Sequence, residues 1–195
     1  MNILLIFIRN PVRGKVKTRL ARTLGDDEAL RIYHILLEKT RAAACLCRSA
    51  RWLFYSDFVD ENDAWSPDYF EKKVQHPGDL GERMQQAFET AFSAGAQKVV
   101  IIGSDCPELS GALLDQAFAT LDHADFVLGP VPDGGYYLLG MKAPAPALFE
   151  DIAWSTETVR EKTLEKMAAL GKTCALLPVL ADIDTEADYW RMRGE

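Results

Sequence analysis

Six basic residues, Arg9, Arg13, Lys15, Lys17, Arg19 and Arg22, fall within fourteen consecutive positions that hold no acid. An even spread of the chain's 22 Lys and Arg would place about 1.6 there. Such a concentration suits a polyphosphate. Pro11 and Gly14 shape a loop whose amides, with Arg13, Lys15, Lys17 and Arg19, can surround phosphate oxygens, and a helix N-terminus can add its positive end. The plainer alternative is a solvated basic face on a surface loop and first helical turn. Two familiar phosphate loops are excluded by the residues themselves. Gly14-Lys15 is followed by Val16, with no glycine five positions earlier, and no G-x-G-x-x-G follows any strand-like run.

Acids stand at matching places. Gly103-Ser104-Asp105-Cys106-Pro107 follows an apolar run and sets the Asp105 carboxylate at a strand tip before a chain reversal. A hard cation such as Mg2+ or Mn2+ takes one or two protein carboxylates and fills its shell with water and phosphate oxygens, so Asp105 and one distant acid suffice. Asp182-Ile183-Asp184 offers the second ligand in Asp184, which equally well caps a helix beginning near Thr185. A turn before Pro107 is the alternative role for Asp105. In Pro132-Asp133-Gly134-Gly135 the two glycines let backbone approach a ligand, and Asp133 can reach an acceptor hydroxyl; an Asp-Gly turn between paired strands explains the same residues.

These groups need elements to hold them. Apolar runs of strand length at 2–8, 51–55, 98–102, 125–128, 136–141 and 173–177 alternate with helical stretches at 27–48, 80–94, 113–121 and 155–170, and a last helix starts near 185. Asp26 or Asp27 is placed to cap the first of these helices, and Ser155 or Thr156 the fourth, which Gly171 ends. Residues 57–77 lack a clean period and allow one irregular edge strand at 70–74. The alternation predicts a single α/β domain, with a mostly parallel, mixed sheet covered by helices on both faces. The basic run then lies at the carboxyl end of a buried strand, where open α/β sheets bind ligands.

The chain has 195 residues, 48% of them hydrophobic, and a formal net charge of -7, which argues against nucleic acid or an anionic membrane as main partner. No run approaches the roughly 20 apolar residues of a membrane span. Four cysteines without zinc or disulfide spacing, and a first apolar run whose basic residues come after it, lead us to expect a cytoplasmic protein without a signal peptide. The aromatic set Trp52, Phe54, Tyr55, Trp65, Tyr69 and Phe70 reads as core and edge packing more readily than as an acceptor pocket.

Taken together, RGKVKTRL at 13–20, GDLGERM at 78–84, GSDCP at 103–107, GPVPDGGYY at 129–137, Trp154-Ser155-Thr156 and DIDTEAD at 182–188 resemble the bacterial DUF2064 family, also labelled rSAM/selenodomain-associated transferase 1. That family is assigned to the nucleotide-diphospho-sugar transferase (GT-A, Rossmann-like) fold. The resemblance implies a metal-dependent transferase whose partners are a nucleotide or nucleotide-sugar and a small-molecule acceptor. It implies nucleotide contacts at Gly81, Arg83 and Ser104 beside Arg13, Gly14, Lys15, Lys17, Arg19, Gly134 and Gly135. Asp133 and Lys17 would carry the catalysis, and Asp105 and Asp184 the metal. Glycosyltransferases of this fold usually carry Asp-x-Asp where this chain has Asp105-Cys106-Pro107, a form closer to guanylyl- and cytidylyltransferases. Glycosyl transfer is the first expectation, nucleotidyl transfer the second, and nucleotide binding without turnover the third.

Overall fold

A computed structural model describes residues 1–193. Its strands are β1 (Asn2–Ile8), β2 (Ala50–Tyr55), β3 (Glu71–Val74), β4 (Lys98–Ile102), β5 (Phe126–Pro130), β6 (Tyr136–Met141) and β7 (Cys174–Leu176), in one sheet of order β3-β2-β1-β4-β6-β5-β7. Neighbouring strands run parallel except at β6, which is antiparallel to both β4 and β5. The predicted mixed, mostly parallel sheet is therefore the observed one, and the short β3 lies at its edge.

The apolar runs become strands because both faces of the sheet are covered. Leu4, Ile6 and Ile8 of β1 pack with Tyr33 and Leu37 of α2 (Asp26–Leu46) and Leu114 and Phe118 of α4 (Gly111–Thr120). Ile3 and Leu5 face the other way, onto Met84 and Phe88 of α3 (Leu80–Ser93) and Met167 of α5 (Val159–Ala169). Each such side chain, fully buried, contributes about 1.5–3 kcal/mol. Five of the six aromatic residues singled out from the sequence are buried in these layers, and only Tyr69 is exposed.

A third cluster ties the last helix to the first two. Leu20 of α1 (Thr18–Leu24), Ala29, Ile32 and Leu36 of α2, and Tyr189 of α6 (Glu186–Arg193) enclose Ile183. Helix α1 is not among the predicted elements; most of it, residues 18–22, lies inside the basic run. It starts from a left-handed Lys17 (φ 46°) and ends at Gly25, whose φ of 83° lets the chain turn straight into α2.

Three expected caps are corrected. Helix α2 starts from Gly25 with no side-chain cap, because Asp26 and Asp27 fall inside its first turn, where Asp27 accepts from Arg13. Neither Ser155 nor Thr156 caps α5, which starts after Thr158 without a side-chain cap. Thr185, not Asp184, begins α6: its Oγ1 accepts from Asp188 N at 3.3 Å, while Asp188 Oδ2 accepts from Thr185 N at 2.8 Å.

Candidate functional site

The chain leaves β1 for β2 and β3 on one side and for β4 on the other, and at such a switch point open α/β sheets bind ligands in the crevice outside the carboxyl ends of their strands. Residues 9–17 leave β1 there, and residues 103–110 leave β4. The 131–135 connection opens on the same edge because β6 runs antiparallel. After β7 the chain returns along this edge: Leu177 N donates to Leu128 O, Leu180 N to Pro130 O, and Ile183 N to Asp105 O at 2.9 Å. With Ile183 anchored in its apolar cluster, Asp182 and Asp184 are held beside Asp105.

Lys17 closes the arrangement. Its left-handed backbone turns the side chain inward, so it is only 5% exposed, while Lys15 and Arg19 on either side are exposed. Its Nζ lies 2.7 Å from Asp105 Oδ1 and 3.1 Å from Asp184 Oδ1, and donates to Ile183 O at 2.6 Å. Burial by itself would lower the Lys17 pKa, but the charges of Asp105 and Asp184 outweigh it and hold the ammonium protonated. Both carboxylates remain open to solvent, at 46% and 39% side-chain exposure. Arg19 approaches the outer oxygen of Asp184 at 3.5 Å.

Two further groups escape sequence reasoning. Asp182 has a buried Oδ1 with no hydrogen-bond partner. Burial first, then the neighbouring charge of Asp105, pushes its carboxyl up to about 7 despite Lys17. The only sequence signal was its place two residues before Asp184. Tyr33, which reads as a plain apolar helix position, ties the two loops together. Its hydroxyl accepts from Arg9 N at 2.9 Å, donates to Arg9 O at 3.1 Å and meets Ser104 Oγ at 3.3 Å. Ser104 is thus buried against Tyr33, where it braces the Asp105 loop.

The remaining candidates divide. Arg13 is exposed but engaged, with Nε 2.6 Å from Asp27 Oδ1 and NH1 3.6 Å from Asp26. Gly14 (φ 74°) supplies the left-handed turn that leads to Lys15. Asp133 is exposed, and its Oδ1 accepts from Gly135 N at 3.1 Å, an Asx turn within the β5–β6 connection. Gly134 (φ 90°) is pressed against Glu157, where a Cβ would collide with the Glu157 carbonyl; its own carbonyl accepts from Arg160 N. Gly81 packs under the Trp154 indole with no room for a Cβ, and Arg83 turns back to donate to Gly78 O at 2.8 Å. These last residues line the start of α3, apart from the Lys17 cluster.

Hard oxygen donors that converge on one cation suit a divalent ion. Asp105 Oδ1 and Asp184 Oδ1 already share the Lys17 ammonium, and the unpartnered Asp182 oxygen lies nearby. Among the described residues no group of three His, Cys, Asp or Glu side chains is arranged as a metal cage. Two carboxylates are nevertheless what Mg2+ or Mn2+ takes when phosphate and water complete the shell.

Fold and crevice together define a nucleotide-diphospho-sugar transferase-like α/β protein, and known proteins agree. A structure from Desulfovibrio desulfuricans G20, provisionally assigned as a nucleotide-diphospho-sugar transferase, is 33% identical over 94% of this chain and 82% of its own, with a TM-score of 0.88. Rv0371c from Mycobacterium tuberculosis H37Rv, solved in complex with manganese, is 14% identical over 98% of this chain and 96% of its own, TM-score 0.58. A cytidylyltransferase from Leptospira borgpetersenii serovar Hardjo-bovis (strain JB197) is 14% identical over 98% and 84%, TM-score 0.59. At that identity the last two show the fold alone. No curated protein matches the chain. The bacterial family described as "Uncharacterized protein conserved in bacteria (DUF2064)" matches residues 39–156, and the chain belongs to it. No helix among the described residues is long and apolar enough to cross a membrane.

Proposed function

We propose that the protein is a metal-dependent transferase that uses a nucleotide-activated substrate, with glycosyl transfer from a nucleotide-diphospho-sugar as the first reading. One observation carries it: Asp105 and Asp184, from loops far apart in sequence, aim one oxygen each at a single cation at the mouth of the β1/β4 crevice, beside the exposed Lys15 and Arg19. Asp105 and Asp184 would hold the divalent ion, whose chemistry is to neutralise the negative charge of a polyphosphate. Lys15 and Arg19 have the reach and exposure to take phosphate oxygens and steady a departing diphosphate. Asp133, with one oxygen tied to Gly135 N, is the candidate to orient an acceptor hydroxyl and take its proton. The 33%-identical relative supports the sugar-transfer reading.

Nucleotidyl transfer is the second reading. It is favoured by the absence of a second acid beside Asp105 and by the provision of that acid from the distant Asp184. In it, Lys15 and Arg19 would stabilise leaving pyrophosphate. Calorimetry against UDP, GDP, CDP and the four nucleoside triphosphates, with and without Mn2+, decides. Metal-dependent diphosphate binding supports glycosyl transfer, and tighter triphosphate binding moves the assignment to nucleotidyl transfer. Asp105→Ala should weaken metal-dependent binding at least tenfold, about 1.4 kcal/mol. Binding indifferent to chelator and to this substitution would sink both readings.

A further inference from the structure

We propose that Lys17 is a tethered counter-cation: its ammonium holds the position between Asp105 and Asp184 and competes with the divalent ion, so that the ion binds tightly only once Lys17 has moved away. The inference rests on the metal reading above and deepens it. Lys17 was expected to bind phosphate, but all three of its N–H donors have an oxygen within reach: Asp105 Oδ1, Asp184 Oδ1 and the Ile183 carbonyl. A divalent ion on the same two carboxylate oxygens, at the roughly 2 Å that Mg2+ requires, would stand within a few ångströms of the ammonium and be repelled by it.

The surroundings favour exchange over a permanent ion pair. Asp105, Asp182 and Asp184 face Lys17, Asp133 adds its charge to the same cluster, and among the described residues the further cation that pairs with these acids is Arg19, at 3.5 Å from the outer oxygen of Asp184. One ammonium leaves this group with an excess of acid, and the Asp182 Oδ1 has no partner. The accessible partners of Lys17 give an incoming ion a path, and Lys17's four methylenes give the displaced ammonium reach toward anions held by Lys15 and Arg19. A polyphosphate arriving with its metal would accept that ammonium, so metal and anion should enter together.

The test needs no nucleotide. Chelator-stripped protein is titrated with Mn2+ alone, free Mn2+ being read by its EPR signal, for the parent, Lys17→Met and Lys17→Met/Asp105→Asn. Lys17→Met should bind Mn2+ at least tenfold more tightly than the parent, and the double variant should lose the gain. Equal affinity in parent and Lys17→Met overturns the proposal, while leaving nucleotide binding through Asp105 free to hold; absence of Mn2+ binding in all three overturns both. Should Lys17→Met not melt cooperatively when metal-free, the proposal requires that Mn2+ restore its transition, since the ion replaces the missing ammonium. Failure to restore it overturns the proposal equally.

Discussion

Two lysines of this chain are buried to the same degree, with 5% side-chain exposure each, yet their settings differ. Lys72 of β3 meets one acid. Its Nζ donates to Asp63 Oδ1 at 2.8 Å and to Asp60 O at 2.7 Å; Asp63 also accepts from Trp65 N and from the Tyr55 hydroxyl. Asp63 is 18% exposed, and Trp65 packs edge-on to Phe70 beside it. Asp60 and Glu61 add their charge nearby, but Asp63, the acid that pairs with the ammonium, is enclosed and both of its oxygens are used. Lys17 meets two half-open acids, with a third beside them whose oxygen has no partner. A buried ammonium alone therefore does not mark a site. The sharing of the ammonium by two acids, their exposure to solvent, and the unpartnered oxygen beside them separate the Lys17 cluster from the Lys72 brace.

If the brace is purely structural, its loss should be felt in stability and nowhere else. Lys72→Met leaves Asp63 charged and enclosed without its counter-ion, a change that costs about 3 kcal/mol where the partner stays buried. Urea denaturation should register that loss, while Mn2+ titration of the folded variant stays within twofold of the parent. A loss under about 1 kcal/mol, or altered metal binding, would erase the distinction between the two lysines.

Much of this contrast lay beyond the sequence. The strands were legible to within two residues because an interior parallel strand is a continuous apolar run, as NILLIFI is, and burial on both faces leaves such a run few alternatives. The short β3 was legible only as an irregular edge. The basic and acidic loops stood out because they follow strand ends. Which charge meets which did not, since Lys17 and Asp184 are 167 positions apart and a left-handed residue in the middle of a basic run has no local signature. Asp184 shows the same limit: it is a good capping residue by type, but Lys17 claims it from a distance. Helix α1 was hidden because its apolar anchors, Leu20, Ala21 and Leu24, sit among or beside basic residues that read as loop.

The acid excess has a signature in pH. An unfolded Asp182 releases its proton near the ordinary value of 3.8, whereas in the folded chain it does so at about 7. Between these values the native state keeps a proton that the unfolded chain has lost, so stability falls as pH rises from about 4 to about 7 and levels off beyond. Carboxyls held low, such as Asp125 beside Thr173 at about 2, act with the opposite sign and only at lower pH. Asp182→Asn cannot ionise. In chelator at about pH 8 it should exceed the parent's stability by about 1–3 kcal/mol, because a buried charge without a partner has been removed. Its urea midpoints should change little between about pH 5 and pH 8, while Lys72→Met retains the parental slope. A parental slope in Asp182→Asn would mean that this carboxyl is not the source, and that the Lys17 cluster is as balanced as the brace.

The smallest effect concerns what frees Asp184 for the cluster. Had Asp184 capped α6, its oxygens would be committed to amides, as those of Asp63 are committed in the brace. Instead Thr185 and Asp188 cap the helix reciprocally, and Asp188 Oδ2 also accepts from Asp184 N at 3.3 Å. Thr185→Ala removes one half of this box and should cost about 1 kcal/mol in urea denaturation, with Mn2+ affinity nearly preserved. Asp184→Asn leaves the box intact, so its larger consequence should fall on Mn2+ binding, most clearly in a Lys17→Met background where the ion is not contested. Equal stability costs for the two substitutions, with Mn2+ binding untouched by Asp184→Asn, would return Asp184 to the role of a helix cap. Asp105 would then hold the crevice cation without Asp184.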